Sequence, residues 1–354
     1  MKLISNNWKY LIALIALFIG GIREGKSQLN FNYSLTGTLS EYPTLVVGSG
    51  AATLTSGNPD PFGSGWLRLT PMEQSKAGYA TIDKAFSSSQ GITAEFEFKT
   101  WGTFDERATT DAKKYLGDGF SAFLYDASVS PFNIGRDGMA LGYADMYSRS
   151  DDFLSGGYLG VGFDEYGDFS KGMPLKVNIF NQKEGVEFFD NYPIEKYRVR
   201  PNSIAVRGPL VQDKSWYVGG TEANLGNSSL SGTTVAYSVS TTTRPADNQY
   251  YRKARILLMP VKDVNGTTTD FTVQVQLQAN PNGPFHTVIK RVEIGQRAPA
   301  NLKIGFAAST GDSKAYHEIK NLKITTPVDF AITKTVSTSG RVGSSSATVN
   351  NGDA

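Results

Sequence analysis

The residues best placed to do chemistry are two aspartates that follow a glycine-rich apolar stretch. Asp164 and Asp168 stand four positions apart, with Gly167 between them. Such a loop can fold back, and its carboxylates can then present several oxygens to one hard cation. The pair Gly156-Gly157 precedes the stretch, and backbone without a Cβ lets amide groups approach a ligand closely. The alternative interpretation is an ordinary strand that ends in a polar turn.

Two apolar stretches are expected to hold these carboxylates as strands. Tyr158–Phe163 has no polar alternation, which is typical of a strand buried on both faces. Phe120–Tyr125 is also apolar, and it follows Asp118, an aspartate bracketed by glycines. The sequence therefore predicts carboxylates at the end of one buried strand and at the start of another.

A further acidic pattern lies on Ile92–Lys99, the clearest alternating strand of the chain. Glu95, Glu97 and Lys99 share one face of it. Two glutamates on one face can act as acid and nucleophile in sugar hydrolysis. Because no aspartate lies between them and no third glutamate continues the row, a solvated strand face is the preferred interpretation, and we predict that the protein is not an enzyme.

Composition limits the classes of protein to consider. The chain has 354 residues, 37 glycines, 12% aromatic residues and no cysteine. This length allows one large β domain or two smaller ones, and the absence of cysteine excludes disulfides and thiolate sites. The formal net charge of +2 is spread without a basic stripe, so composition does not favour nucleic acid or an anionic membrane as a partner.

Short strands separated by turn residues recur along the chain. Besides the strands above, the predicted ones are Leu29–Tyr33, Gly65–Thr70, Gly78–Ile82, Pro201–Arg207, Arg255–Val261, Phe271–Leu277, Leu302–Ala308 and His317–Ile324. No segment has a convincing amphipathic helical period, so the prediction is an all-β sandwich of paired sheets. Residues 212–250 are rich in Gly, Ser, Thr and Asn, and we predict an excursion or surface loop there.

The first residues are typical of a secretory signal. Lys2 and Lys9 precede the apolar run Tyr10–Ile19, and small residues follow at Gly25 and Ser27. This order predicts a signal peptide over residues 1–27, and therefore a secreted or cell-surface protein. The run is short for a membrane span, so a retained anchor is the alternative, and we expect no membrane span after signal removal.

A domain boundary is predicted near Thr326-Pro327. Residues 28–326 would form the β domain, and residues 327–354 would be a linker or the start of a following surface repeat. This tail is rich in Ser, Gly and Thr, and it is too short and polar for a core of its own. Its Ala-Ile-Thr-Lys-Thr and Asn-Asn-Gly-Asp sequences are similar to the opening strand of an Ig-like bacterial surface repeat.

Three blocks in this order resemble the legume-type (L-type) lectin family. Gly117–Leu124 is similar to the family's Ala-Asp-Gly-Leu-Ala-Phe-Phe-Leu, and Gly156–Asp168 to its Gly-Gly-x-Leu-Gly strand and Phe-Asp-x-x-x-Asn loop. Lys303–Gly311 is similar to Val-Gly-Phe-Ser-Ala-Ala-Thr-Gly. The resemblance covers residues 29–326 with a departure between 171 and 255. It implies a concanavalin A-like jelly-roll sandwich of two large antiparallel sheets.

The resemblance also implies a sugar site in a shallow depression. The Asp118 carboxylate would accept hydrogen bonds from two sugar hydroxyls, and a cis peptide would join it to Gly117. Gly157 would offer a backbone N–H, and the Ser309–Ser313 loop would form a wall. The predicted ligand-binding residues are Asp118, Gly157, Tyr166, Ser309, Thr310 and Asp312. An aromatic ring would stack on the sugar, and the candidates for it are Tyr125, Phe132, Tyr166 and Phe169.

The family's transition-metal site is not expected in this chain. Gly162 stands where plant members carry the glutamate that holds the metal. No histidine follows at the expected distance, and His286 and His317 are interpreted as ordinary sheet or surface residues.

A calcium site is the open question about cofactors. The candidate ligands are Asp164, the Tyr166 carbonyl and Asp168, supplemented by water or by the loop carboxylates Asp151 or Asp152. The family's later aspartate falls at Met173, and Asp168 stands where asparagine is usual. The alternative is that Asp168 replaces both the metal and the amide through direct hydrogen bonds or pairing with lysine.

The prediction from these observations is a carbohydrate-binding, lectin-like domain of a secreted or cell-surface bacterial adhesin, with glycans or polysaccharide as partners. Single-site affinity should be weak because the depression is shallow. The alternatives are a glycoside hydrolase or lyase on the same fold, and a structural domain without sugar binding. The identity of the sugar and the oligomeric state remain open at this stage.

Overall fold

The protein is an all-β sandwich. A computed structural model describes residues 29–48, 50–103, 116–144, 153–169, 202–210, 215–220, 241–248, 250–327, 329–338 and 341–350. Within these ranges the strands form two large sheets and a separate two-stranded sheet, and all paired strands are antiparallel. The predicted fold class, an all-β sandwich of two large antiparallel sheets, is confirmed.

The first sheet has eight strands. In chain order they are β1 (Asn30–Tyr33), β3 (Thr53–Leu54), β4 (Leu67–Thr70), β6 (Ile92–Trp101), β11 (Lys253–Lys262), β12 (Thr268–Gln278), β13 (His286–Glu293) and β15 (Tyr316–Thr325). Their spatial order is β13-β12-β11-β6-β15-β4-β3, and β1 pairs with β15.

The second sheet has seven strands. They are β2 (Leu45–Val47), β5 (Ala77–Ser87), β7 (Gly119–Asp126), β8 (Gly157–Asp164), β9 (Ser203–Leu210), β10 (Ser215–Gly220) and β14 (Asn301–Ser309). Their spatial order is β10-β9-β8-β7-β14-β5-β2. Two short 3₁₀ helices, Leu39–Glu41 and Gly138–Ala140, lie between strands.

Phenylalanines from both sheets fill the core between them. Phe96 and Phe98 point inward from the eight-stranded sheet, and Phe120, Phe163 and Phe306 from the seven-stranded sheet, all at most 2% exposed. The Phe120 and Phe163 rings stack at 4.5 Å, and Phe98 lies 5.0 Å from Phe163. Burying each ring stabilises the fold by roughly 1.5–3 kcal/mol. This packing gives β7 and β8 a rigid support.

The register of three neighbouring strands brings Gly119, Asp164 and Ser309 to one end of the sheet. Gly119 on β7 pairs with Asp164 on β8 and with Ser309 on β14. Antiparallel pairing therefore places the start of β7 beside the ends of β8 and β14. All eight residues of β8 are buried, as predicted for a strand covered on both faces.

The glutamates of β6 are ion-paired. Glu95 contacts Arg255 at 2.6 Å and Lys253 at 3.2 Å, and Glu97 contacts Lys320 at 3.4 Å. Burial alone would raise the pKa of Glu95, but the charges and hydrogen bonds of Arg255 and Lys253 outweigh it and lower that pKa below its ordinary value. A carboxylate held ionised in this way is unsuited to act as a general acid.

Several strands were not predicted from the sequence. β2, β3 and β13 are short or carry mixed polarity at sheet edges, and β10 lies within the stretch predicted as an excursion or loop. The tail contains the hairpin β16 (Asp329–Thr338) and β17 (Arg341–Asn350). Local periodicity is weak for such strands because one side of each lacks a partner.

The predicted signal peptide lies outside the described residues. Within the part of the chain that the structure covers, no helix has the length and apolar character needed to cross a bilayer.

Candidate functional site

The main chain of Asp118 ties together three segments. The Gly117–Asp118 peptide is cis, as the resemblance implied. The Asp118 N–H donates to the Ser309 carbonyl at 2.9 Å. Its carbonyl accepts from the N–H groups of Glu165 and Tyr166, each at 3.1 Å. The start of β7, the loop after β8 and the end of β14 therefore meet at this residue.

The Asp118 carboxylate is incompletely satisfied. The residue is partly exposed, yet its Oδ2 atom is buried and has no hydrogen-bond partner among the described residues. Gly311 faces it: a methyl group at that position would lie 3.3 Å from Oδ1 and 3.5 Å from Oδ2. A glycine here leaves the space over the carboxylate open, and a carboxylate with unused acceptor capacity can accept hydroxyl donors.

Burial raises the pKa of Asp118 to about 7, which is far above the ordinary range of an aspartate. The charge of His317 acts in the opposite direction, and the negative charges of Asp168, Asp137 and Glu165 raise the pKa further. A raised pKa in a depression is a common property of functional sites.

Residues 309–313 form the predicted wall, and the hydroxyl groups of Ser309 and Thr310 within it are hydrogen-bonded to backbone groups. The Ser309 hydroxyl donates to the Gly138 carbonyl at 2.8 Å, and Ser309 is 1% exposed. The Thr310 hydroxyl donates to the Glu73 carbonyl at 2.7 Å and accepts from the Lys76 N–H at 2.9 Å. These two predicted ligand residues therefore shape the wall. Asp312, at the rim, is exposed.

Gly157 is not brought to Asp118. It pairs with Tyr125 at the far end of the β7–β8 ladder, and its N–H donates to the Leu154 carbonyl at 3.0 Å. Gly157 lines a separate cavity of about 620 Å³ together with Asp126 and Tyr158. A strand of eight residues spans roughly 25 Å, so Gly157 and Asp118 belong to opposite ends of the sheet.

Three of the four candidate stacking rings are placed away from the Asp118 carboxylate or covered. Phe169 is fully buried, and Tyr125 is 5% exposed and packs against Phe132 with ring centroids 4.8 Å apart. Tyr166 is partly exposed and bonded through its N–H to Asp118. Of the four, Tyr166 is the residue whose backbone bonds to Asp118.

The space that a transition-metal ligand would need at position 162 is filled. A Cβ on Gly162 would lie 2.2 Å from Cδ1 of Phe169. The Phe169 carbonyl in turn accepts hydrogen bonds from the fully buried Arg207, with Nη2 at 2.6 Å and Nε at 3.1 Å. A glutamate at 162 would displace a packed ring, so this chain does not fit the family's transition-metal set.

The implied calcium set is incomplete in residue type, because Met173 stands where the family carries an aspartate and a thioether is a soft ligand that does not suit calcium. Asp164 is 1% exposed, and its Oδ1 accepts the Gly167 N–H at 2.7 Å. The described residues contain no cluster of three His, Asp or Glu side chains suited to a metal. The buried carboxylate oxygens that lack a partner in the described ranges are Asp118 Oδ2 and Glu165 Oε1, and neither belongs to the implied set. Asp151, Asp152 and Met173 lie outside the described residues.

Two residues of the site were missed by the sequence reasoning. Glu165 points into the sandwich and contacts His317, with Oε2 3.0 Å from Nε2. His317 is completely buried, so the interpretation of it as an ordinary sheet or surface residue is corrected in part: it lies in the sheet, but not on the surface. The sequence shows a charged residue, Glu165, directly after Asp164. A charged side chain in a loop is usually solvated, so its burial was not expected.

Comparison with solved structures finds lectins at low identity. The VIP36 exoplasmic/lumenal domain in its Ca2+/Man3GlcNAc-bound form is 15% identical, with a TM-score of 0.45 over 80% of this chain and 86% of that chain. A Bauhinia forficata lectin in complex with GalNAc is 17% identical, with a TM-score of 0.43 over 84% and 98%. Arcelin-5, a lectin-like defence protein from Phaseolus vulgaris, is 12% identical, with a TM-score of 0.47 over 84% and 98%.

Similarity at this level does not indicate a function. A scan of protein-family models found no match. A search of curated proteins also found none.

Proposed function

We propose that this protein is a carbohydrate-binding domain whose site is the depression around Asp118. The observation that carries the proposal is the Asp118 carboxylate itself, partly exposed and with one buried oxygen that has no partner among the described residues. Gly311 faces the carboxylate without a side chain, and the Tyr166 backbone N–H bonds to the Asp118 carbonyl. A planar acceptor with a small residue facing it suits a sugar with neighbouring hydroxyls, and we infer that the Tyr166 ring stacks on that sugar.

The proposal includes no catalytic step. Sugar hydrolysis needs two carboxyl groups facing a cleft at a defined separation. Asp164 is buried and bonded to Gly167, Glu165 faces His317 inside the sandwich, and Glu95 is held by cations on the other sheet. These contacts give Asp164, Glu165 and Glu95 structural partners of their own.

The test compares sugar binding by wild type and by the Asp118→Asn variant on a glycan array and then by titration with the best ligand. Hydrogen bonds to a charged acceptor contribute about 1.5–3 kcal/mol, so affinity should fall by at least about tenfold. The matched control is Asp83→Asn, which changes a 61% exposed carboxylate on β5 of the same sheet. Its affinity should equal that of wild type.

Three other outcomes have distinct meanings. Absence of binding to any glycan by wild type would favour a structural domain. Release of reducing ends from polysaccharide would establish an enzyme. Equal affinity of wild type and Asp118→Asn would place the sugar site elsewhere on the molecule.

We further propose that the protein is exported and acts as a surface adhesin. The support is the order of the first residues, with Lys2 and Lys9 before the apolar run and small residues at Gly25 and Ser27. Weak single-site binding would then gain avidity from many copies on one surface. Mass spectrometry of the protein recovered from the native cell should find an N-terminus near residue 28, and a retained Met1 in the exported fraction would contradict cleavage.

A further inference from the structure

A buried polar chain crosses the sandwich directly beneath the candidate site. Glu165 follows β8 of one sheet, while His317 and Thr70 are cross-strand neighbours on β15 and β4 of the other. Glu165 Oε2 lies 3.0 Å from His317 Nε2, and His317 Nδ1 lies 2.6 Å from Thr70 Oγ1. All three side chains are at most 1% exposed. The chain therefore links the loop that carries Tyr166 to the opposite sheet.

The hydrogen bonds define the direction of this chain. The Thr70 hydroxyl donates to the Ala315 carbonyl at 3.1 Å, so it accepts from Nδ1–H of His317. The other ring nitrogen then faces the Glu165 carboxyl group, and a hydrogen bond there requires one proton between the two groups. Breaking such a buried contact on one side only is costly, because the remaining polar group has lost water and has no replacement partner.

The backbone of Glu165 connects this buried chain to Asp118. Its N–H and that of Tyr166 both donate to the Asp118 carbonyl at 3.1 Å, and its own carbonyl accepts the Asn202 N–H at 3.1 Å. The side chain of Glu165 is fixed inside the sandwich, so its backbone is held against Asp118. Position 165 thus connects the opposite sheet, Asn202 just before strand β9, and Asp118.

The cation implied by the fold family would support the loop in a similar way, but the residue types fit it incompletely. Met173 stands where the family carries an aspartate, and a thioether is a soft ligand that does not suit calcium. Phe169 fills the space beside Gly162, where the family's metal-binding glutamate would stand. The contact between Glu165 and His317, in contrast, crosses from the loop to the opposite sheet.

We propose that the Glu165–His317–Thr70 chain positions Asp118 and Tyr166 for ligand, and that the site forms without a bound cation. This inference rests on the proposed sugar binding for its functional consequence, but not for its structural one. Glu165 and His317 are positioning residues, since they act through the Asp118 backbone. Rigid support for a ligand-contacting residue is worth a large factor in affinity because small displacements are costly.

The first test measures amide hydrogen exchange at positions 165 and 166 in wild type and in the double variant Glu165→Met with His317→Leu. Replacing both buried partners by apolar groups often leaves folding stability intact. The two amides should nevertheless exchange at least roughly tenfold faster, because their loop is no longer anchored. If the double variant is as stable as wild type and its amides at 165 and 166 exchange at the wild-type rate, the pair does not anchor the loop and the proposal is overturned. His317→Gln keeps a donor toward Glu165 and should retain most of the protection.

The matched control is Tyr158→Phe. It removes the hydrogen bond of another buried side chain, from the Tyr158 hydroxyl to the Gln296 carbonyl at 2.7 Å, at the opposite end of β8 from the loop. Protection at positions 165 and 166 should stay at the wild-type level in this variant.

The second test repeats the exchange and sugar-binding measurements on wild type with EDTA and with 1 mM calcium chloride. Equal protection and equal affinity in both are expected. Loss of protection in EDTA that calcium restores would overturn the proposal, and this arm decides even if the double variant does not fold. If wild type binds no glycan, the proposed function fails, whereas the exchange data still decide whether the chain anchors the loop.

Discussion

The Glu318→Ala variant is expected to lose about 3–5 kcal/mol of its free energy of unfolding. Glu318 is completely buried on β15. Its Oε1 accepts from Arg68 Nε at 2.9 Å, and its Oε2 accepts from Arg244 Nε at 2.6 Å and from Trp101 Nε1 at 3.0 Å. The two arginine side chains are only 15% and 19% exposed, so removal of the carboxylate leaves poorly hydrated cations.

The loss should be large because the cluster around Glu318 also joins the loop that carries Arg244 to the loop that carries Asp60. Arg244 also binds Asp60 in a bidentate manner, with both contacts at 2.8 Å. Burial alone would raise the pKa of Asp60, but the hydrogen bond and charge of Arg244 lower it below its ordinary value. Hydrogen-bonded charge networks of this kind are worth more than an isolated pair.

Urea denaturation at neutral pH measures this effect. The control is Glu73→Ala, because Glu73 is 61% exposed and pairs with Lys76 at 3.0 Å on the surface. Exposed pairs contribute little, so the control should stay within about 0.5 kcal/mol of wild type. A loss below about 1 kcal/mol in Glu318→Ala would show that water or neighbouring groups satisfy the arginines.

The Asp118→Asn variant is expected to be more stable than wild type at neutral pH by about 4 kcal/mol, measured without sugar. The pKa of Asp118 is raised by burial from 3.8 to about 7, and each unit corresponds to about 1.4 kcal/mol. Ionisation of this carboxylate therefore opposes folding. The same substitution should weaken sugar binding by at least about tenfold, so stability would be gained at the cost of function.

The sign of the pH dependence follows from linkage. A raised pKa means that the folded protein holds this proton more tightly than the unfolded chain does. The stability it contributes is present below the ordinary pKa near 3.8, declines as the pH rises, and is lost above about 7. The variant carries no charge there, so its advantage over wild type should grow across this window and then level off.

Denaturation of wild type, Asp118→Asn and Asp83→Asn near pH 4.5, 6 and 7.5 in EDTA tests this prediction. At each pH the free energy of unfolding of wild type is subtracted from that of the variant, so the contributions of groups that titrate alike in both proteins cancel. Asp83→Asn is a substitution at an exposed position, so its stability should stay within about 0.5 kcal/mol of wild type. A difference for Asp118→Asn that does not change with pH would mean that the carboxylate is ionised throughout, for example through contact with a cation.

Much of the fold was determined by the sequence alone. The alternation of β6 and the unbroken apolar runs of β7 and β8 predicted their strands to within two residues, because side chains on a strand change face at every step. The family resemblance, and not the residue types alone, implied the cis peptide at Asp118 and its meeting with the loop after Phe163. The strands themselves depend on short stretches of chain, where residue type and local geometry are closely linked.

Only the tertiary structure decided which residues share the site. Antiparallel pairing carries Gly157 to the far end of β8, and packing covers Phe169, although both lie near Asp164 in the sequence. The same packing brings Glu165 to His317, which is 152 positions away. Burial and register depend on the partners of a strand and not on its own residues, so a charged side chain beside a loop carries no local mark of turning inward.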